Sequence, residues 1–166
     1  MSEEKLKFPT EVVELPSNGI VYPKDNPLSS GKVEMKYMTA KEEDILTNQS
    51  YIQKGIVLDK LLRSLIVDKN IKVDDLVIGD KNSLLVGSRI LGYGKDYEIT
   101  WDGNTHIIDL STLENKPFDE TSIEQGKNEF SFTIPSNGSI LIYKLLTGKD
   151  EKAIDREINW LKKVDK

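Results

Sequence analysis

The spacing of hydrophobic and polar positions changes twice along this chain, and each change predicts a different type of secondary structure. Between positions 32 and 38, Val33, Met35 and Tyr37 alternate with charged residues. Alternation of this kind predicts a strand with one buried and one solvated face. Before it, residues 11–15 predict a short strand, and the sequence PSNG at 16–19 predicts a turn, since Asn and Gly adopt positive φ at little cost. Residues 20–22 are then expected to resume an extended segment, which Pro23 ends.

Residues 39–92 follow a helical spacing instead. Thr39-Ala40-Lys41-Glu42 is a capping box that predicts a helix start. A second helix is expected from about Ser50, where Gly55 indicates either close packing or a break into two pieces. Farther on, Asp80 is a candidate N-cap and Gly92 a candidate C-cap. The apolar positions of these helices predict a core that includes Ile52, Ile56, Leu61, Leu62, Leu65, Leu84, Leu85 and Ile90.

After residue 95 the period returns to two. Residues 97–101 and 106–110 flank Asp102-Gly103-Asn104-Thr105, and residues 129–134 and 139–145 flank a second PSNG, so both regions predict β-hairpins. Residues 150–163 predict a last helix with Ile154, Ile158 and Leu161 on one side.

Together these patterns predict an α+β fold, in which a central helical group is flanked by an N-terminal extended segment and two β-hairpins, with a C-terminal helix. We expect residues 1–10 to form a flexible arm and residues 11–166 to form a single domain. Within that domain, 11–38 is the extended or hairpin region, 39–92 the helical region, and 95–166 the hairpins with the closing helix.

Composition narrows the function. The chain has 166 residues, a net charge of −5 and no cysteine. A negative chain without a long basic run is a poor nucleic-acid binder, because that affinity rests largely on neutralising phosphates. No apolar run approaches the ~20 residues that a bilayer requires, and the N-terminus lacks a signal-peptide core. We therefore expect neither a nucleic-acid nor a membrane partner.

Candidate chemistry is sparse. His106 is the single histidine and lies in an alternating run, which is typical of a strand face. Gly79-Asp80-Lys81 lacks the earlier glycine of a phosphate loop. Acidic neighbours such as Glu42 and Glu43 diverge around a helix start and predict caps, not a paired catalytic site. The sequence predicts a non-enzymatic protein without catalytic residues, cofactor, metal or small-molecule substrate.

Three segments carry a family resemblance: LPSNGIVYP at 15–23, PLSSGKVEMKYMTAKEEDIL at 27–46 and KGIVLDKLLRSLI at 54–66, with a weaker continuation to residue 99. In order and spacing they resemble the opening of the baseplate hub proteins of T-even-like contractile-tailed bacteriophages. The resemblance implies a structural or interaction protein of a tail baseplate, located in the virion, assembled in the host cytoplasm and bound to other tail proteins. The alternative is a tail or baseplate assembly chaperone that is absent from the mature virion.

The resemblance also bears on metal binding and length. Some members carry paired cysteines in the hairpin that corresponds to residues 97–110 and resemble a small zinc ribbon. This chain has no cysteine, so packing around Trp101 is expected to replace the metal. Family members also tend to be longer, with a further helical region, and this chain is expected to be either a short relative or a trimmed one.

The expected partner surface is the loop 20–31 with the arm before it. Its candidate interface residues are Phe8, Ile20, Val21, Tyr22 and Leu28. Prolines stiffen this segment, which lowers the entropy lost on docking, and tyrosine is enriched at binding hot spots. The alternative is that these side chains fold back onto the domain's own core, because exposed apolar residues are costly on a monomer.

Overall fold

The computed structural model of the chain describes residues 9–120 and 123–164. Within these ranges it has five α-helices and three antiparallel two-stranded sheets, with 43% of residues helical and 21% in strands. The predicted α+β class and the C-terminal helix are confirmed. Of the predicted arm, residues 1–8 lie outside the described ranges, and Thr10 already belongs to the first strand.

The first sheet pairs β1 (Thr10–Glu14) with β2 (Lys32–Lys36). The alternation in β2 places Val33 and Met35 in the core and leaves Lys32 and Glu34 exposed, as the pattern predicts.

The loop between these strands winds back on itself, so the extended segment predicted for residues 20–22 is wrong. Consecutive turns occupy 16–21, and the Tyr22 N–H donates to the Gly19 carbonyl at 3.1 Å. Gly19 has φ of +77°, and a Cβ there would lie 2.6 Å from the backbone nitrogen of Gly31. The two sides of the loop thus approach too closely for any side chain at Gly19. Strand β1 pairs with β2 and not with residues 20–22.

The helical region contains α1 (Ala40–Thr47), α2 (Gln49–Gln53), α3 (Val57–Leu65) and α4 (Ile78–Tyr93), with a 3₁₀ turn at Val73–Asp75. The predicted capping box at Thr39 and Glu42 is present. Gly55, at φ of +65°, separates α2 from α3, so of the two interpretations of this glycine the break is the one observed.

The ends of α4 differ from the prediction. Val77 is its N-cap, so Asp80 lies inside the first turn. The helix passes through Gly92 and is capped by Gly94 at φ of +82°. A Cβ at Gly92 would collide with the sulfur of Met38, so this glycine permits close packing and does not end the helix.

The core gathers apolar side chains from β1, β2, the loop between them, α3 and α4. Leu61, Leu62, Leu65 and Leu84 are buried as predicted, and Leu85 packs against them from the side. Ile56 and Ile90 are only half-buried, and Ile52 is 45% exposed. Ile52 misses the core because the break at Gly55 places it on a separate short helix. The buried apolar set is Leu15, Val21, Tyr22, Leu28, Val33, Met35, Leu61, Leu62, Leu65, Ile66, Val73, Leu76, Val77 and Leu84.

The remaining elements follow α4. Strands β3 (Asp96–Trp101) and β4 (Asn104–Asp109) form one predicted hairpin, and β5 (Phe130–Thr133) and β6 (Ile140–Tyr143) form the other. The first turn is shorter than predicted: only Asp102 and Gly103 lie between the strands, both with positive φ. Helix α5 (Gly148–Val164) joins the core at its start, where the Gly148 N–H donates to the Leu76 carbonyl at 3.0 Å.

Candidate functional site

The apolar side chains of the loop predicted to bind a partner are packed mainly inside the molecule. Val21 and Tyr22 are each 4% exposed and Leu28 is fully buried. The prediction that these three side chains form an interface is therefore wrong, and the alternative, that they fold back onto the core, is what the structure shows. Apolar burial is the physical reason, since leaving these side chains in water costs free energy that packing against the chain's own core recovers.

A buried polar cluster fixes this loop against α4. The Tyr22 hydroxyl donates to Asp80 Oδ2 at 2.6 Å and accepts from the Val77 N–H at 3.0 Å. Ser17 donates to the same carboxylate through its N–H at 3.0 Å and its hydroxyl at 2.6 Å. Burial, together with the neighbouring Asp80 carboxylate, raises the pKa of Tyr22 well above its usual range. The hydroxyl therefore stays protonated, and the cluster is a structural clamp.

The other two candidates have different positions. Phe8 lies outside the described residues. Ile20 is half-buried and lines a cleft of about 560 Å³ between the 16–21 turn, the start of α4 and the β5–β6 hairpin. Phe130, Tyr143 and Leu145 line the opposite side. Asp80 also borders this cleft, and its carboxylate is held by Ser17 and Tyr22.

Glu42 is, like Asp80, a fully buried acid of the helical region. It accepts hydrogen bonds from Lys36 Nζ at 2.7 Å, from the Ser64 hydroxyl at 2.5 Å and from the Thr39 N–H at 3.0 Å. Burial alone would raise the pKa of Glu42, but the hydrogen bonds from Lys36, Ser64 and Thr39 outweigh it and lower the pKa to about 2. An acid held ionised by so many donors stabilises the fold and is a poor proton donor or acceptor in catalysis.

A second set of charges joins α5 to the helical region. Asp59 of α3 contacts Lys81 Nζ at 3.0 Å and Lys152 Nζ at 2.6 Å. Lys152 also contacts Asp74, and Lys81 contacts Glu151. Burial would raise the pKa of Asp59, but the two lysines lower it overall. These alternating charges form a joint between three helices.

His106 is exposed on β4, opposite Ile99 of β3. Across residues 9–120 and 123–164, no group of three or more histidines and acids is arranged to hold a metal ion. Among the described helices, none combines the length and apolarity needed to cross a membrane.

The surface that sequence reasoning missed is the β5–β6 hairpin. Cross-strand pairs place Ser131 beside Ile142 and Thr133 beside Ile140, and both isoleucines are strongly exposed, at 65% and 69%. On the other face Phe132 pairs with Leu141, and these are 53% and 51% exposed. A signal was present in the sequence: Ile140 to Tyr143 is a continuous apolar run, which is typical of a strand covered on both faces.

Helix α5 carries another apolar face that the rest of the molecule leaves uncovered. Every residue from Ala153 to Val164 is exposed, although Ile154, Ile158 and Leu161 share one side of the helix. Together with the β5–β6 hairpin, this face gives the described surface two exposed apolar regions. Exposed apolar regions of this kind are suited to contact with another protein.

No family model, no curated protein and no solved structure matches this chain.

Proposed function

We propose that this chain is a non-enzymatic structural and interaction protein of a bacteriophage tail baseplate, a hub component that binds other tail proteins. The observation that carries the proposal is the exposed apolar surface of the β5–β6 hairpin. The four side chains of β6, Ile140 to Tyr143, are each 48–69% exposed. An isolated two-stranded hairpin is at best marginally stable in water, so such strands gain most from a further covering surface.

Two properties of the hairpin favour a protein as the covering surface. Its outward face combines isoleucines with the hydroxyls of Ser131 and Thr133, and it carries no charge in the strands. Its strand edges have backbone groups free to pair, since the sheet contains only β5 and β6 among the described residues. Addition of a strand from another chain satisfies such an edge, and side chains then add specificity.

The assignment to a phage baseplate rests on the resemblance of residues 12–99, which lie mostly in the packed part of the chain. The chemistry of the site is consistent with it, because the buried acids are held by lysines and hydroxyls and the exposed surface is apolar. The proposed partners are other tail or baseplate proteins, and the proposed location is the virion.

The experiment is to incorporate this protein, with Ile142→Thr, into a contractile-tailed phage that encodes it. Threonine keeps the strand propensity and removes apolar surface, so we expect an unchanged melting temperature and fewer complete baseplates. Ser131→Thr, on the cross-strand partner, is the matched control and is expected to assemble normally. Normal assembly of the Ile142→Thr phage would contradict the proposed use of this face.

Quantitative mass spectrometry of purified virions then separates the structural role from the chaperone alternative. A stoichiometric amount of the chain in mature particles supports a hub component. Its presence in assembly intermediates but absence from mature virions would favour an assembly chaperone, and the structural proposal would be wrong.

A further inference from the structure

Helix α5 projects from the body with its apolar side turned away. Its first turns are attached through Lys149 to Asp75 and through Lys152 to Asp59 and Asp74. Ile154, Ile158 and Leu161 lie on the opposite side of the helix and are 43–48% exposed. Their spacing of four and then three residues is that of the d, a and d positions of a heptad, the pattern by which two helices pack side by side.

The charges beside this stripe select the covering surface. In heptad terms, Asp155 and Lys162 occupy e positions along one border, and neither makes an ion pair with another described residue. The other border carries Glu157 and Val164, at g positions. A surface that fits this helix must therefore present apolar side chains, with a cation opposite Asp155 and an anion opposite Lys162.

We propose that this surface is α5 of a second copy of the chain, in antiparallel orientation. When Ile158 packs against the partner's Leu161, the same alignment places Asp155 beside the partner's Lys162. A two-fold axis repeats both contacts, so Ile158 and Leu161 of each chain are covered and two opposite-charge pairs form. The folded bodies are then attached at opposite ends of the helix pair.

The parallel orientation is less favourable because of its charges. It would place Glu157 near the partner's Lys162, but it would also place Asp155 near the partner's Asp150, which brings like charges together. Asp150 is already engaged as an acceptor for Thr147 and Lys144, so it is held in its ionised form at that position. In the antiparallel pair Asp155 faces a lysine, and the helix dipoles also oppose each other.

Sedimentation equilibrium of the full chain tests the proposal. The helix pair is smaller than a standard interface, so we expect a reversible monomer–dimer equilibrium within roughly 5–500 µM. Lys162→Asp should weaken the dimer about tenfold, because it turns two attractions into two repulsions. Adding Asp155→Lys to that variant should return the dissociation constant to within about threefold of the wild type.

Two matched variants make this result specific. Lys163→Asp makes the same charge change one residue farther along, on the side away from the stripe, and should change the dissociation constant by less than about twofold. Glu157→Lys combined with Lys162→Asp should not restore the dimer, because Glu157 faces Val164 in the antiparallel pair. Far-UV circular dichroism checks that all variants keep the wild-type helix content.

Each other outcome overturns the proposal. A chain that remains monomeric over the whole range shows that a second copy is not the occupant. Restoration by Glu157→Lys instead of Asp155→Lys identifies the parallel orientation. A double Asp155→Lys/Lys162→Asp variant that stays as weak as the single one shows that these residues do not face each other.

Discussion

The two parts of this chain, residues 9–93 and residues 95–164, place their apolar side chains in opposite ways. The buried apolar core residues all lie at or before Leu84. Of the 24 large apolar side chains that are exposed among the described residues, six precede residue 94 and 18 follow it. The first part covers its own hydrophobic surface, whereas the second part presents it. This difference teaches that the apolar residues that stabilise the fold and those proposed to contact a partner are separated along the sequence.

The largest effect is expected at Tyr22, which joins the first part together. Tyr22→Ala should lower the free energy of unfolding by about 4 kcal/mol, because it removes a buried ring and leaves Asp80 without one of its donors. Urea unfolding followed by far-UV circular dichroism measures it, since both tryptophans lie outside the core. Tyr22→Phe, which keeps the ring, should cost about 2 kcal/mol. A loss below about 1 kcal/mol for Tyr22→Ala would show that the clamp between Tyr22 and Asp80 does not stabilise the first part as proposed.

The matched substitution of two isoleucines tests the comparison directly. Ile66 is 2% exposed in the first part and Ile142 is 65% exposed in the second. Ile66→Thr should cost about 3 kcal/mol, since it opens a cavity and buries a hydroxyl. Ile142→Thr should stay within about 0.5 kcal/mol of the wild type. Similar losses at the two positions, measured by chemical unfolding, would abolish the distinction between the two parts.

Glu42 should contribute to the acid sensitivity of the first part. The pKa of Glu42 is lowered from 4.5 to about 2 in the folded chain, so its contribution is fully present above pH 4.5 and is lost as the pH falls toward 2. Glu42→Gln should be less stable by about 2 kcal/mol at pH 6 and should show a smaller loss between pH 4.5 and 2. Glu43→Gln, on the exposed neighbour, should keep the wild-type profile. An unchanged profile in Glu42→Gln would contradict this assignment.

The smallest effect is expected at the joint between the two parts. Asp59→Asn removes the charge that Lys81 and Lys152 share, and we expect a loss of about 1 kcal/mol. Hydrogen exchange should show the loss of protection in the first turns of α5, with β1 and β2 unchanged. Asp44→Asn, an exposed acid of α1 outside both the joint and the proposed dimer contact, is the control. Equal deprotection throughout the core would show that Asp59 stabilises the whole fold and is not confined to the joint.

The sequence predicted most of the local structure, because local signals determine it. The alternation at Val33 and Met35, the capping box at Thr39 and the Asp102-Gly103 turn each specify an element within a few residues. The same local signals failed at residues 20–22, where the conformation depends on contacts of Tyr22 with Val77 and Asp80, more than 50 residues away. Periodicity cannot reveal such a contact.

The candidate site was harder to predict for a related reason. An apolar pattern shows which face of an element avoids water, but it does not show what covers that face. Tyr22 and Ile142 both lie in apolar runs after a PSNG turn, yet one is buried by the chain's own helix and the other is exposed. The two residues differ in their tertiary surroundings. Helix α4 covers the first turn, whereas no described element covers the outward face of the β5–β6 hairpin.

The clamp between Tyr22 and Asp80 also has a consequence for synthesis on the ribosome. Both of its sides, and the whole of α4, emerge from the ribosome before the β5–β6 hairpin, which begins 37 residues (130 − 93) after the end of α4. At rates of roughly 5–20 residues per second, this interval lasts about 2–7 s, which is long compared with the folding time of most small domains. We expect the N-terminal body to fold during this interval, so that the apolar hairpin and α5 leave the exit tunnel attached to a folded domain. The exposed apolar surface of the hairpin and α5 would then reach solvent only after the core has folded. Apolar core residues would therefore not be available to pack wrongly against that surface.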